Sequence, residues 1–363
     1  MCLHNIIKRL PKGKAVVLTS KRKELGQDFD GERQNYPIYR RRLETHFFKP
    51  KWLVSPFFGL RIALKEKVEF VQAAHGFASY LAAWVLKKLL GLPYFVWAYG
   101  LDILAMRKSR FLRYLVKRIY KEAAGGVANS NFTREEMSRL GLPLEKISVI
   151  YPGVDQSCFR PGLATAEVEK KYHILPEKKI LLSVSRLVSR KGFDLVIRAL
   201  PAILEKFPNT IYLIGGKGPD EARLRAMVEK SSDPKIQEAV KFIGFVQDAD
   251  LPRLYNLADI FLMPSRQIRE DVEGFGMVFL EANACGCPVI GGRSGGIPEA
   301  IIDGETGFLV DPENPEDLAF KVIQLFRDEN LGKKMGEAGR RRVKKEFNWE
   351  KIVKNFISTL YSL

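Results

Sequence analysis

The sequence is poor in the residues that build metal centres and covalent staples. It has four cysteines, Cys2, Cys158, Cys285 and Cys287, and four histidines, His4, His46, His75 and His173. The cysteines are scattered or one residue apart, which gives neither a disulfide framework nor a zinc spacing. The histidines stand far apart, so a reduced, metal-free protein is expected. No apolar run reaches the length that spans a bilayer, and the first residues carry no secretory pattern, so the expected location is cytoplasmic. Gly215-Gly-Lys-Gly218 is rich in glycine but lacks the Gly-x-Gly-x-x-Gly spacing, which disfavours a nicotinamide cofactor.

Acidic residues are scarce in one half only. Residues 1–160 hold 29 Lys and Arg against 13 Asp and Glu, a net of +16, whereas residues 161–363 hold 30 against 29. Nearly all of the formal +17 therefore lies in the first half. That asymmetry points to an anionic partner there: a membrane surface, nucleic acid or an acidic substrate. The densest point is Arg40-Arg41-Arg42, inside a polar, turn-rich stretch from 21 to 50. Arg107 to Lys121 holds seven cations and no anion, with Phe111, Leu112, Leu115, Val116 and Ile119 at helical spacing. A solvated charged face above a core-facing stripe is one reading; the charge excess is more than solubility needs and makes an anionic lipid surface its competitor. No nucleic-acid recognition motif accompanies the charge, so nucleic acid is not an expected partner.

The 363 residues, 46% hydrophobic and 28% charged, suffice for two globular cores. Buried-type strands followed by turns and helices recur: Lys67–Gln72, Pro93–Tyr99, Lys179–Ser185, Ile211–Gly216, Val240–Val246, Asp259–Pro264 and Cys287–Gly292. Thr133-x-x-Glu136 reads as a capping box at a helix start. The alternation predicts parallel sheets covered by helices, with ligands at the carboxyl ends of strands.

One stretch organises the second half: Glu273-Gly-Phe-Gly-Met-Val-Phe-Leu-Glu281. Gly-x-Gly before an apolar run reads as a loop feeding a helix N-terminus. Backbone N–H groups from Phe275 to Val278 would there face an anion. Glu273 and Glu281 suit sugar hydroxyls, so the pairing fits a phosphorylated sugar; the spacing alone is better read as an ordinary amphipathic helix with an acidic start, and the Gly-rich segments that follow tip the balance. Upstream, Arg186 and Lys191 flank a turn at a strand's end, where such a pair suits a diphosphate. Downstream, Ser294-Gly-Gly-Ile-Pro-Glu299 is a second Gly-rich loop at a helix start.

In this order, Ser185–Gly192, Gly244-Phe-Val246, Glu273–Glu281 and Ser294-Gly-Gly296 resemble the retaining glycosyltransferases of GT-B fold, the glycogen-synthase-like group numbered four. The resemblance runs from about Val16 to the C-terminus. Within the group, Arg269–Glu281 is most similar to the mannosyltransferases that act on phosphatidylinositol lipids. The resemblance implies an α/β protein of two doubly wound, Rossmann-like domains facing across a cleft. Residues 1–160 would form the acceptor domain, 161–346 the nucleotide-sugar domain, and 347–363 a helix packing back on the first.

By the same resemblance, donor contacts fall to Arg186, Lys191, Val246, Glu273, Gly274, Phe275, Gly276, Met277, Val278 and Glu281. His75, Tyr99 and Asp102 fall to the acceptor, and Asp102, Arg186, Lys191 and Glu273 to catalysis. Tyr99 stands where many relatives have His, and Asp102 either takes the acceptor's hydroxyl proton or orients the sugar. The implied reaction moves a hexosyl group, mannose favoured as GDP-mannose, to a lipid-linked or polysaccharide acceptor with retention and without metal or cofactor. The implied place is the inner face of the plasma membrane, in peripheral contact with anionic lipid. A sugar-nucleotide epimerase of the same fold and a catalytically degenerate lipid- or sugar-nucleotide-binding relative are the alternatives. The family's first strand and Gly-rich loop should precede the helix expected at Cys2–Leu10, yet no Gly-Gly occurs before Gly125. Either the reading frame extends upstream or the protein lacks that loop.

Overall fold

The computed structural model describes residues 2–20, 36–41, 43, 54–74, 76–100, 110–175 and 177–361. The chain divides into two compact units, Met1–Pro152 with Trp349–Leu363, and Gly153–Asn348. The first division thus falls before Gly153, earlier than the 160 read from sequence. The cause is local. Val154 N–H donates to Phe347 O at 2.9 Å, and Val154 bridges Asn348, so this strip joins the end of the second unit.

The first unit contains a parallel four-stranded sheet in the order β3 (Val71–Ala73), β4 (Tyr94–Ala98), β5 (Gly125–Ala128), β6 (Ile147–Val149). A separate parallel pair joins β1 (Val17–Ser20) to β2 (Ile38–Arg41), the latter inside the stretch read as turn-rich. All five residues of β4 are buried, as expected of a strand covered on both faces. The helix at Asn131–Arg139 corrects the expected capping box. Its cap is Ser130, whose Oγ accepts from Thr133 N–H at 3.0 Å, and Glu136 pairs with Arg139 instead. A hydroxyl three residues earlier reaches the first free N–H groups, which Thr133, already inside the helix, cannot do. The closing helix, Trp349–Tyr361, places Trp349, Ile352, Val353 and Phe356 against Ile6, Trp97, Val127 and Ile150.

The second unit is one six-stranded parallel sheet. Its strands are β7 (Lys179–Val184), β8 (Thr210–Gly215), β9 (Val240–Gly244), β10 (Ile260–Met263), β11 (Val289–Gly292) and β12 (Gly307–Val310), in spatial order β12-β11-β10-β7-β8-β9. From β7 the chain winds outward through β8 and β9. It then returns to lay β10 on the other side of β7 and winds the opposite way. The loops after β7 and β10 therefore diverge at a topological switch point, where doubly wound sheets hold ligands. Apart from the half-buried edge strand β9, the strands are short, mostly buried apolar runs; Leu181, Leu262 and Ile290 join the helix residues Phe193 and Leu200 in one core.

Candidate functional site

Three loops converge at the carboxyl edge of the second sheet. The loop after β7 carries Arg186, passes through a 3₁₀ turn at Ser189–Lys191 and enters the Phe193–Lys206 helix at Gly192. The loop after β10 runs from Pro264 to Gly276 and enters the Met277–Ala284 helix. The loop after β11 begins at Arg293. Arg266 N–H donates to Arg190 O at 2.8 Å, and Gly296 N–H donates to Glu273 O at 3.0 Å, so the loops are sewn through their backbones. Two glycines permit that closeness. A Cβ on Gly192, at φ +76°, would lie 2.1 Å from Pro264 O, and one on Gly296 would lie 2.1 Å from Gly274 O.

A cluster of buried charge sits on this frame. Lys191 Nζ pairs with Glu273 Oε2, and Arg190 Nη1 bonds the same oxygen at 2.8 Å. Arg190 Nε also lies 2.7 Å from Asp271 Oδ1. Lys191 is 8% exposed. Burial lowers its proton affinity, and the adjacent Arg190 charge acts in the same sense against the pull of Glu273. For Glu273 burial acts upward, but the charges and hydrogen bonds of Lys191 and Arg190 prevail and hold its carboxyl at about 2. Both cations meet Oε2; Glu273 Oε1 has no partner among the described residues. Arg186, in contrast, is exposed and makes no ion pair among the described residues.

Gly276 starts the Met277–Ala284 helix at φ +99° without a side-chain cap, so no side chain competes for the first-turn N–H groups. Phe275 is a core residue, 2% exposed, with its ring 5.9 Å from that of Phe347; only its backbone can serve a ligand. Gly274 and Gly276 are buried, and Met277 and Val278 half-buried. Glu281 lies further along the helix, and Tyr255 Oη donates to its Oε2 at 3.3 Å. Burial lifts the Glu281 carboxyl to about 7, with the Asp248 charge adding and the Tyr255 hydrogen bond opposing. Val246, after β9, is 8% exposed, while its neighbour Phe245 is 66% exposed. Burial pushes the Cys285 thiol up to about 12, so that sulfur is no nucleophile at neutral pH.

The structure thus brings Lys191, Glu273 and the Gly274–Val278 backbone together and puts Arg186 on the loop that carries Lys191. Arg190, inside the Ser185–Gly192 motif, is not marked as a site residue by the sequence. Neither are Tyr255 and Phe245. The signal for Arg190 was its place beside Lys191; its partners, more than 80 residues away, were invisible. In the first unit, His75 and Asp102 lie outside the described residues. Tyr99 is half-buried, stacked on Trp97 with centroids 6.4 Å apart at 29°. No three His, Cys, Asp or Glu side chains converge as metal ligands among the described residues.

Comparison with known proteins places both units. Residues 165–342 match the family described as Glycosyl transferases group 1, and residues 2–157 match Glycosyltransferase Family 4. A GDP-mannose-dependent alpha-(1-6)-phosphatidylinositol monomannoside mannosyltransferase of Mycolicibacterium smegmatis is 37% identical over 240 residues. The match takes in 65% of this chain and 62% of the relative. Its namesake in Mycobacterium tuberculosis is 38% identical over 226 residues, covering 61% of this chain and 58% of the relative. The matched stretch thus spans less than two thirds of these relatives' length. Among solved structures, Anabaena HepE, in complex with UDP and glucose, superposes with a TM-score of 0.79 at 20% identity, over 100% of this chain and 95% of that one. Sucrose-phosphate synthase of Thermosynechococcus elongatus gives 0.73 at 23% identity, over 90% and 83%.

Proposed function

Because the chain belongs to the glycosyltransferases of GT-B fold, we propose that it transfers mannose from GDP-mannose to a lipid-linked acceptor with retention of configuration. The observation that carries this reading is the cluster at the switch point of the second sheet. A buried lysine, a carboxylate with one uncommitted oxygen and an uncapped helix start meet there, brought together by loops more than 80 residues apart in sequence. The diphosphate would lie against Lys191, Arg186 and the N–H groups at the start of the Met277–Ala284 helix, where charge-assisted and dipole interactions favour an anion. As the glycosidic bond breaks, negative charge grows on the leaving diphosphate, and fixed cations in a poorly solvated site stabilise it. Glu273 Oε1 would accept a hexose hydroxyl, Glu281 the ribose hydroxyls, and Val246 would offer backbone contacts to the base. Asp102, His75 and Tyr99 are assigned to the acceptor.

Mannose is favoured by the GDP-mannose-dependent relatives, and a lipid acceptor by their phosphatidylinositol substrates. The basic helix Arg110–Glu122 supports peripheral attachment to an anionic membrane, since Phe111 and Tyr114 are 67% and 59% exposed among its cations. No helix of the described residues is long and apolar enough to cross a bilayer. The test incubates the protein with radiolabelled GDP-mannose or UDP-glucose, with and without vesicles containing phosphatidylinositol, in EDTA. Mannose should pass into the lipid fraction with its anomeric configuration kept. Binding without turnover would mark the degenerate binding protein, isomerised free sugar nucleotide the epimerase, and glucose transfer a different donor.

A further inference from the structure

The side chain that ties the switch-point loops together is Arg190. It lies on the 3₁₀ turn after β7, with 15% of its side chain exposed, and it holds the Arg266–Glu273 segment at both ends. At the near end its carbonyl oxygen accepts from Arg266 N–H at 2.8 Å. At the far end its guanidinium hydrogen-bonds Glu273 at 2.8 Å and pairs by charge with Asp271, Nε to Oδ1 at 2.7 Å, without hydrogen-bond geometry. Asp271 and Glu273 both turn to this one cation, while Val272 between them is 1% exposed. Between the two ends the chain makes a tight reversal. Ile268 and Asp271 exchange N–H···O bonds of 2.9 Å, with Arg269 at φ +55°, a conformation unfavourable to a side chain bearing a Cβ. A reversal of that kind needs anchoring from outside itself.

We propose that Arg190 is a positioning residue for transfer: it staples the Arg266–Glu273 segment and fixes Glu273 so that Oε1 stays open to a hydroxyl of the hexose. The proposal rests on the donor site described above and adds to it. Lys191 alone would pin Glu273 Oε2 but would leave Asp271 and the reversal unsecured. A planar guanidinium can bond two carboxylates at once, whereas an ammonium on a flexible stem has no fixed fork. Arg186 cannot take the part, being exposed and without an ion pair among the described residues.

Steady-state kinetics and limited trypsinolysis of the full chain test this. In Arg190→Ala, kcat should fall about 100-fold, as for a displaced catalytic group, while the donor KM changes by no more than about threefold. The acid limb of the rate profile should move to higher pH, because Glu273 loses one of the two cations that keep it ionised. Arg190→Lys should restore the position of that limb and part of kcat. Trypsin should cut after Arg266 and Arg269 faster in Arg190→Ala than in wild type or in the remote surface variant Arg341→Ala. A raised KM at unchanged kcat would make Arg190 a direct donor ligand and overturn the proposal, as would unchanged cleavage at Arg266 and Arg269. If Arg190→Ala does not fold, Asp271→Asn carries the test: faster cleavage supports the staple, and wild-type cleavage with wild-type kcat refutes it. A wild-type protein inactive with every sugar nucleotide would sink the functional reading, while the cleavage rates would still decide whether the staple exists.

Discussion

At the scale of single residues, the site is governed by how burial and charge are balanced. Lys191 is held by one carboxylate, so a diphosphate arriving beside it gains a charge-assisted contact. Lys191→Ala should weaken nucleotide-sugar binding by about 1.5–3 kcal/mol, read by calorimetry; unchanged affinity would place the diphosphate elsewhere. Glu281 behaves in the opposite way to Glu273. Its folded-state carboxyl, at about 7 against an ordinary 4.5, binds its proton more tightly than the unfolded chain does. Its contribution to stability is therefore full below the ordinary carboxylate range and is lost as pH rises through about 7. Glu281→Gln, which mimics the protonated form, should gain on wild type in melting temperature between pH 5 and 8, most above pH 7. A difference independent of pH would show that the carboxyl is not burial-shifted. Glu273, held at about 2 by two cations, should lose its stabilising contribution only as pH falls through the ordinary range toward that value.

At the scale of elements, the basic helix Arg110–Glu122 shows how a periodic stripe can be divided. Val116, Ile119 and Tyr120 are fully buried in the first unit, whereas Phe111 and Tyr114 project with Arg113, Lys117, Arg118 and Lys121 around them. The buried half explains why the helix packs, and the exposed half remains for a surface. Each basic residue near an anionic bilayer contributes roughly 1 kcal/mol, and screening shortens the reach of that attraction to about 3 Å at 1 M salt. Flotation should need anionic lipid, fall with salt and fail in a folded Arg113/Lys117/Lys121→Glu variant. Phe111→Ser/Tyr114→Ser should weaken it without changing its salt dependence. Equal flotation on neutral vesicles would refute the electrostatic account.

At the scale of the molecule, the first unit is closed by the last helix in the chain. Trp349, Ile352, Val353 and Phe356 are each at most 7% exposed, in a cluster with Ile6, Trp97, Val127 and Ile150. Burying one such side chain is worth about 1.5–3 kcal/mol, so four rival the whole stability of an ordinary domain, about 5–15 kcal/mol. Deleting residues 349–363 should abolish the cooperative melting of the first unit while the Gly153–Asn348 unit keeps its own transition. Calorimetry distinguishes the two, and an unchanged melting profile would show that the helix is dispensable.

The strand and helix order was largely written in the sequence. Buried parallel strands are short continuous apolar runs, so Lys179–Val184, Ile260–Met263 and Val289–Gly292 announce themselves between glycines and prolines. The Gly-rich start of the Met277–Ala284 helix was equally legible, because only glycine tolerates its backbone there. The strand Ile38–Arg41 was not, since half its residues are arginines and no apolar alternation marks it. Sequence does not single out Ser130 as the cap, because Thr133 offers the same local chemistry three residues later; hydrogen bonding in the folded chain decides between them. Sequence thus determined the inventory: which loops hold glycine, which strand ends carry Arg, Lys and Glu. Tertiary structure decided the pairing. That Lys191 and Arg190 share one oxygen of Glu273, and that Glu281 is desolvated beside Tyr255, depend on β10 returning to lie against β7. Contacts between loops some 80 residues apart, and the solvent exclusion that sets a carboxyl at about 2 or about 7, exist only once the sheet is assembled.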